Sequence, residues 1–321
     1  MAVSTWKLKL RLWIAMTMLF GLVYLIIIAA STFLGYGWNF SFFAIVGLFM
    51  LLIQYLLGPT IVQMTMGVKY VTEEQAPELH QMVGELANMA GIPKPKIGIS
   101  ETNVPNAFAF GRTKRDGRVC VTRGILNTLN KEELKAVLGH EISHINHSDM
   151  AVTTLVSAIP LICYYIALSF FFSGNNRNGG GIIIGILAFV AYLIGQVIVL
   201  FISRTREYYA DHGSIELGCR PDKLASALYK LVYGASKASK EEIKEIDGIK
   251  AFFVNNVSHA REDIQELSQL DFDYDGEISA NDLAQLKFKK INIKTSDKIS
   301  ELFSTHPNML KRIEKLSEYT W

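Results

Sequence analysis

Two histidines and a glutamate stand within five residues of one another, in His140-Glu141-Ile142-Ser143-His144. Residues four apart stack on one face of a helix, so both imidazoles can converge on one ion, while Glu141 beside them can reach a water at that ion. Zinc is the metal expected for two imidazoles and a carboxylate. The chemistry open to such a group is activation of water, with the ion drawing the water's pKa toward neutrality and Glu141 removing its proton. By average residue usage the pattern arises by chance in about one chain in a hundred. It is strong evidence but not sufficient, since two helix histidines beside a solvated glutamate would look the same.

A hydrolytic zinc needs three protein ligands and an open position. His147, Glu207 and His212 are candidates for the third. Seven residues of helix put about 10 Å between His147 and His140, too far to share an ion. His147 therefore reads as an exposed or interfacial histidine, and Glu207 and His212 stay open. Glu207 falls in Arg204-Thr205-Arg206-Glu207-Tyr208-Tyr209-Ala210-Asp211. Asp211, four residues on, could accept a hydrogen bond from the far ring nitrogen of a ligand histidine and fix its tautomer. The same Glu and Asp among arginines also fit a surface ion-pair stripe.

A second candidate site lies nearer the end of the chain. Asp271, Asp273, Asp275, Gly276 and Ile278 occupy positions 1, 3, 5, 6 and 8 of a twelve-residue EF-hand loop. Oxygen ligands at alternate positions wrap a hard cation such as calcium, Gly276 permits the sharp turn, and Glu277 offers its carbonyl. Asp282 stands at position 12, where glutamate is usual; its shorter carboxylate weakens calcium or favours magnesium. Helical patterns flank the loop from Ala260 to Leu270 and from Asp282 to Lys289. A solvated acidic turn is the plainer reading.

The zinc helix has a start signal, since Asn130 can cap it and Glu133 completes a capping-box pattern. Upstream, Glu73 to Met89 has helical apolar spacing and ends at Gly91. Lys94 to Ser100, Asn106 to Phe110 and Arg118 to Thr122 read as short strands, the last two joined by a turn at Lys114 to Gly117. Around this charged part the chain is membrane-like. No charge lies between Arg11 and Lys69, between Asp149 and Arg177, or between Arg177 and Arg204. Leu12 to Phe33, Trp38 to Leu57, Met150 to Phe172 and Gly181 to Ile202 are each near the roughly 20 apolar residues a spanning helix needs. The fold expected is mainly α, an integral membrane protein with four transmembrane helices. Residues 1–60 form one hairpin and 150–202 a second, joined by the linker Ser173 to Gly181; residues 61–149 and 203–321 form the polar domain, with 260–290 inserted in it. The first apolar run is long and leads into another, so it reads as a retained anchor rather than a cleaved signal. Lys7, Lys9 and Arg11 precede the first span, and Arg204 and Arg206 follow the fourth, which places the polar domain on the cytoplasmic side. Arg177 is a small exception.

Composition narrows the classes. Half of the 321 residues are hydrophobic, 19% are charged, and the mean hydropathy is +0.23, which excludes disorder. A net charge of +2 without a basic stripe argues against nucleic-acid binding. Cys120, Cys163 and Cys219 are too scattered for a disulfide framework or a cysteine metal site. No expected span contains an ionisable residue, which disfavours a transporter.

Three motifs in order resemble the HtpX group of membrane metallopeptidases, relatives of the CAAX prenyl endopeptidases. They are His140 to His144 entering an apolar span, Glu207-Tyr208-Tyr209-Ala210-Asp211 leaving the next, and Ser304-Thr305-His306-Pro307 followed by Arg312. The resemblance covers the chain from the first span to about Leu316. It implies a zincin-like (gluzincin) α+β protease domain facing the cytoplasm, and an endopeptidase of membrane-protein quality control acting on misfolded polypeptides at the lipid bilayer. It further implies Glu207 as third zinc ligand, Asp211 behind a ligand histidine, and His306 as a donor to the developing carbonyl oxygen. Asn106-Ala107-Phe108-Ala109 matches the family's edge strand for substrate backbone, and strand addition of that kind is little selective for sequence. The EF-hand-like loop is foreign to the group's core pattern. A CAAX-type prenyl endopeptidase and a non-catalytic, calcium-responsive membrane scaffold are the alternatives; the former is expected to carry more than four spans.

Overall fold

The computed structural model describes residues 40–171, 180–237, 264, 267–273, 275–288 and 301–319. The expected first span, Leu12 to Phe33, and most of the Ser173 to Gly181 linker lie outside them. The described chain is mainly helical with one small sheet. The described residues divide into two compact units: those within 40–56 and 153–200, and those within 57–152 and 201–319.

The first unit contains most of α1 (Phe40–Thr65), most of α5 (Asp149–Phe171) and the first half of α6 (Gly180–Glu216). Small residues let these helices approach. A Cβ on Gly47 would meet the Tyr165 ring at 3.1 Å, and one on Gly195 would meet Pro160 at 2.9 Å. Tyr164 lies against Tyr192 with ring centroids 5.4 Å apart. Much of the remaining surface is apolar and exposed, including Ile183 at 61% and Leu187 at 63%. Among the described residues, α5 and α6 are long and apolar enough to cross a membrane. α6 does not stop at Ile202, where the apolar run ends. It continues unbroken to Glu216, because Arg, Glu, Ala and Tyr all sustain a helix, no proline interrupts it, and Gly213 is accommodated within it before the Gly218 turn.

The second unit is built on a four-stranded sheet in the order β1-β2-β4-β3, where β1 is Lys69–Tyr70, β2 Lys96–Ser100, β3 Ala107–Phe110 and β4 Arg118–Thr122. β2 and β4 are parallel; β1 and β3 pair antiparallel at the two edges. Sequence periodicity does not anticipate β1, which is too short for an alternating pattern. The helix expected from Glu73 begins at Pro77, with proline in its first turn, and ends at Met89 as α2; Gly91 follows at φ +66°. α3 (Arg123–Thr128) leads to α4 (Lys131–Asn146), the helix of the histidine motif. α4 opens with the expected capping box: Asn130 Oδ1 accepts from Glu133 N at 3.0 Å and Glu133 Oε2 from Asn130 N at 3.0 Å. α7 (Pro221–Ser236), α8 (Ala280–Leu286) and α9 (Met309–Ser317) complete the unit, with α7 packed between α4 and α9. One buried cluster runs through these elements, from Leu86 and Val121 through Leu138 and Ile142 to Leu228 and Ile313.

Candidate metal centre

Apolar residues on both sides of the motif, Leu138 and Ile145, are fully buried, so α4 is held against the sheet and α7 along its middle turns. Its other face meets the second half of α6 at a crossing of small residues. A Cβ on Gly139 would lie 2.8 Å from Ser214 Oγ and 2.9 Å from Cys219 Sγ. A Cβ on Gly213 would lie 2.8 Å from Ser143 Cβ. Ser214 Oγ fastens the crossing by donating to Ala136 O at 2.7 Å.

This close approach brings Glu207 to the histidines. His140 Nε2 and His144 Nε2 are 3.0 Å apart, and Glu207 oxygens lie 3.6 Å and 3.5 Å from them respectively. A tetrahedral zinc with bonds of about 2.0–2.1 Å needs about 3.4 Å between donor atoms, so the three groups fit the ion. The far ring nitrogens are both engaged. His140 Nδ1 is 2.9 Å from Asp211 Oδ1, and His144 Nδ1 is 2.7 Å from Asp149 Oδ2. A carboxylate at Nδ1 keeps the proton there and turns the Nε2 lone pair to the centre.

Arg312, fully buried on α9, spans the carboxylates: Nε and Nη2 donate to Asp211 at 2.9 and 2.6 Å, and Nη1 lies 3.1 Å from Glu207 Oε2. Such a bidentate guanidinium compensates two buried anions at once. Burial pushes the Glu207 carboxyl up, but His306, His140 and Arg312 outweigh it and hold it well below the usual carboxylate range. Burial depresses His140, yet its hydrogen bonds to Asp211 and Glu207 raise it to about 9. His144 is lowered, chiefly by burial. Burial also dominates at Glu141, raising its pKa against the pull of both histidines and of a hydrogen bond from the Ala109 backbone.

The sequence candidates separate clearly. His212 is not at the centre; it is half exposed, pairs with Glu216 at 3.3 Å and stacks on Tyr319. His147 caps the end of α4 and hydrogen-bonds Ser143 at 3.1 Å. His306 Nε2 comes to 3.9 Å from Glu207 Oε1, with Thr305 Oγ1 3.0 Å from its Nδ1. Asn106 to Ala109 run along the sheet edge beside α4, and Asn106 O accepts from Thr122 N at 2.9 Å. By the two-residue period, the backbone groups of Ala107 and Ala109 then face away from β4.

Asp149 was not anticipated. It follows Ser148, which bends the chain at φ +56°, so no helical spacing relates it to His144. Arg206 joins it, donating to Asp149 Oδ1 and to His147 O. The only available signal was an acidic residue at the start of an apolar run, which a helix N-terminus would also explain.

In the EF-hand-like loop, Asp271, Asp273 and Asp275 offer oxygens that converge. Gly276 takes φ +85° and donates to Asp271 Oδ2 at 2.9 Å. The Asp282 carboxylate is not among those converging oxygens, and the position expected of Glu277 is its backbone carbonyl, not its side chain. Asp282 closes a capping box on α8 through Ser279 and also accepts from Phe272 N, while the Glu277 carboxylate pairs with Lys230 at 2.5 Å. Of the expected upstream helix, Ile264 and Leu267 are helical and Ser268–Leu270 form a 3-10 turn, residues 260–263, 265 and 266 lying outside the described ones; downstream, α8 ends at Leu286, and Lys289 lies outside them.

The model of peptidase family M48 matches residues 73–320. The protein called Protease HtpX homolog from Methanothermobacter thermautotrophicus is 63% identical over 229 residues, 71% of this chain and 87% of that one. Protease HtpX homolog 2 of Methanosarcina mazei is 33% identical over 304 residues, covering 92% and 90% respectively. The crystal structure of S. mikatae Ste24p is similar in fold, with a TM-score of 0.53 at 18% identity over 96% of this chain and 67% of that one. With the family pattern extending over α4, the distal half of α6 and α9, which together build the centre, the chain belongs to peptidase family M48 as an HtpX-type protease.

Proposed function

We propose that this protein is a membrane-anchored zinc endopeptidase that cleaves misfolded or damaged membrane proteins from the cytoplasmic side. The observation that carries the reading is the convergence of His140 Nε2, His144 Nε2 and a Glu207 oxygen, with Glu141 adjoining on the same helix. When bound, zinc supplies Lewis acidity, which acidifies water and polarises a carbonyl. Glu141 takes the proton from the attacking water onto its carboxylate and passes it to the departing amide nitrogen. Its raised pKa suits a group that must carry the proton between the two steps.

An extended substrate fits against Ala107 to Ala109, where outward backbone groups can pair with any sequence. With Thr305 Oγ1–H donating to Nδ1, His306 carries a proton on Nε2, from which it can donate to the carbonyl oxygen as that oxygen becomes negative. Orientation rests on Lys7, Lys9, Arg11, Arg204 and Arg206 flanking the apolar runs. Placing ligands just before one such run and just after the next sets the chemistry near the bilayer, which favours membrane substrates over soluble ones.

The experiment is cleavage of a membrane substrate and a soluble one by the purified full-length protein and by Glu141→Gln. Glu141→Gln should keep its zinc and lose about 10²–10⁴ in rate. Retained activity in that variant, or equal preference for the soluble substrate, would count against the reading. A scaffold would bind no zinc and ignore the substitution.

The convergent aspartates also support a calcium or magnesium role for the Asp271 to Asp282 loop, ordering the chain between Glu207 and His306. Titration calorimetry of the whole protein should then give binding heat with millimolar Ca²⁺ that Asp273→Asn diminishes. Absence of heat in the parent dismisses the site.

A further inference from the structure

Arg204 is an almost fully buried cation, 7% exposed, whose Nη1 meets three backbone carbonyls. Its Nη1 lies 2.8 Å from Glu301 O, 3.1 Å from Leu302 O and 2.8 Å from Ser304 O. These carbonyls belong to one tight turn, closed by Ser304 N donating to Glu301 O at 2.9 Å. Gathering carbonyls concentrates partial negative charge, and a guanidinium that never deprotonates neutralises it with fixed, planar donors.

His306 follows two residues after that turn. Its backbone N donates to Ser304 Oγ at 3.3 Å, so the turn and the histidine are tied directly. Downstream, Glu301 holds the other side of the loop by accepting from Asn308 N at 3.3 Å and pairing with Lys311. Arg204 and Glu207 sit three residues apart on α6 and so share a face. One helical turn therefore carries both a metal-ligating carboxylate and the anchor of the loop that brings His306 to it.

We propose that Arg204 is a positioning residue that acts through His306: by clamping the Glu301 to Ser304 turn, it keeps His306 Nε2 at the Glu207 edge of the centre. Arg204 itself touches neither metal nor substrate. The proposal rests on the carbonyl-oxygen role given to His306 above.

A double-mutant cycle on the full-length, zinc-loaded protein tests it. Arg204→Gln should lower kcat about ten- to hundredfold, the cost expected for a donor misplaced by about 1 Å, while KM and zinc per chain stay near parental values. In a His306→Ala background the same substitution should change kcat by less than about twofold, because the group it positions is gone. Arg204→Lys, which keeps one charged donor for the carbonyls, should recover part of the loss. It also carries the cycle if Arg204→Gln lowers the thermal midpoint. Equal losses in both backgrounds, or a parental kcat in Arg204→Gln, overturn the proposal. A parental kcat in His306→Ala instead strikes the role of His306, and the proposal falls with it. Loss in His306→Ala with none in Arg204→Gln condemns the Arg204 assignment alone.

Discussion

At the scale of single residues, the centre is a set of buried charges that compensate one another. Glu207, Asp211 and Asp149 bring negative charge, which Arg312 and Arg206 balance and a bound metal would balance further. Burying any of these alone would be costly, and together their geometry orients both imidazoles. Asp149 is the test of that view, since it stands behind His144 as Asp211 stands behind His140. Asp149→Asn should weaken zinc binding about 10- to 100-fold in a chelator competition, with α4 intact by circular dichroism. Unchanged affinity would mean that His144 needs no carboxylate behind it. His140 to His144 were legible from the sequence because helix geometry alone relates them. Asp149 and the bridging function of Arg312 were not, because each depends on a chain reversal or a distant helix that no local period encodes.

At the scale of elements, α4 and α6 must approach closely for Glu207 to reach the histidines, and Gly139 and Gly213 make the approach possible. Gly213→Ala places a methyl group on the Ser143 hydroxyl, forcing the helices apart or a side chain off its rotamer. Overpacking of this kind costs about 1–3 kcal/mol, so the thermal midpoint should fall by several degrees and zinc affinity with it. Calorimetric unfolding and zinc analysis of that variant check both; a parental midpoint with full zinc would show that the crossing has slack. The capping box at Asn130 was readable, as was the Gly91 stop, because both signals are local. The run of α6 through to Glu216 was not, because a change from apolar to charged composition marks a change of solvent, not the end of a helix. β1 escaped notice because two residues carry no alternation.

For the whole molecule, continuity of α6 ties the two kinds of sequence together: apolar and exposed along its first half, charged and buried where it meets α4 and α9. Composition announced that division through the charge-free runs, and the family pattern supplied the order of the motifs. Spacing alone left Glu207 and His212, five residues apart, both open as third ligand; the family pattern implied Glu207, and in the packing it is Glu207 that faces α4. The most direct measurement is therefore metal analysis of the purified protein beside Glu207→Ala and His212→Ala. One zinc per chain in the parent and in His212→Ala, with loss of tight binding in Glu207→Ala, is the expected result. Full zinc retained in Glu207→Ala would contradict the centre described above.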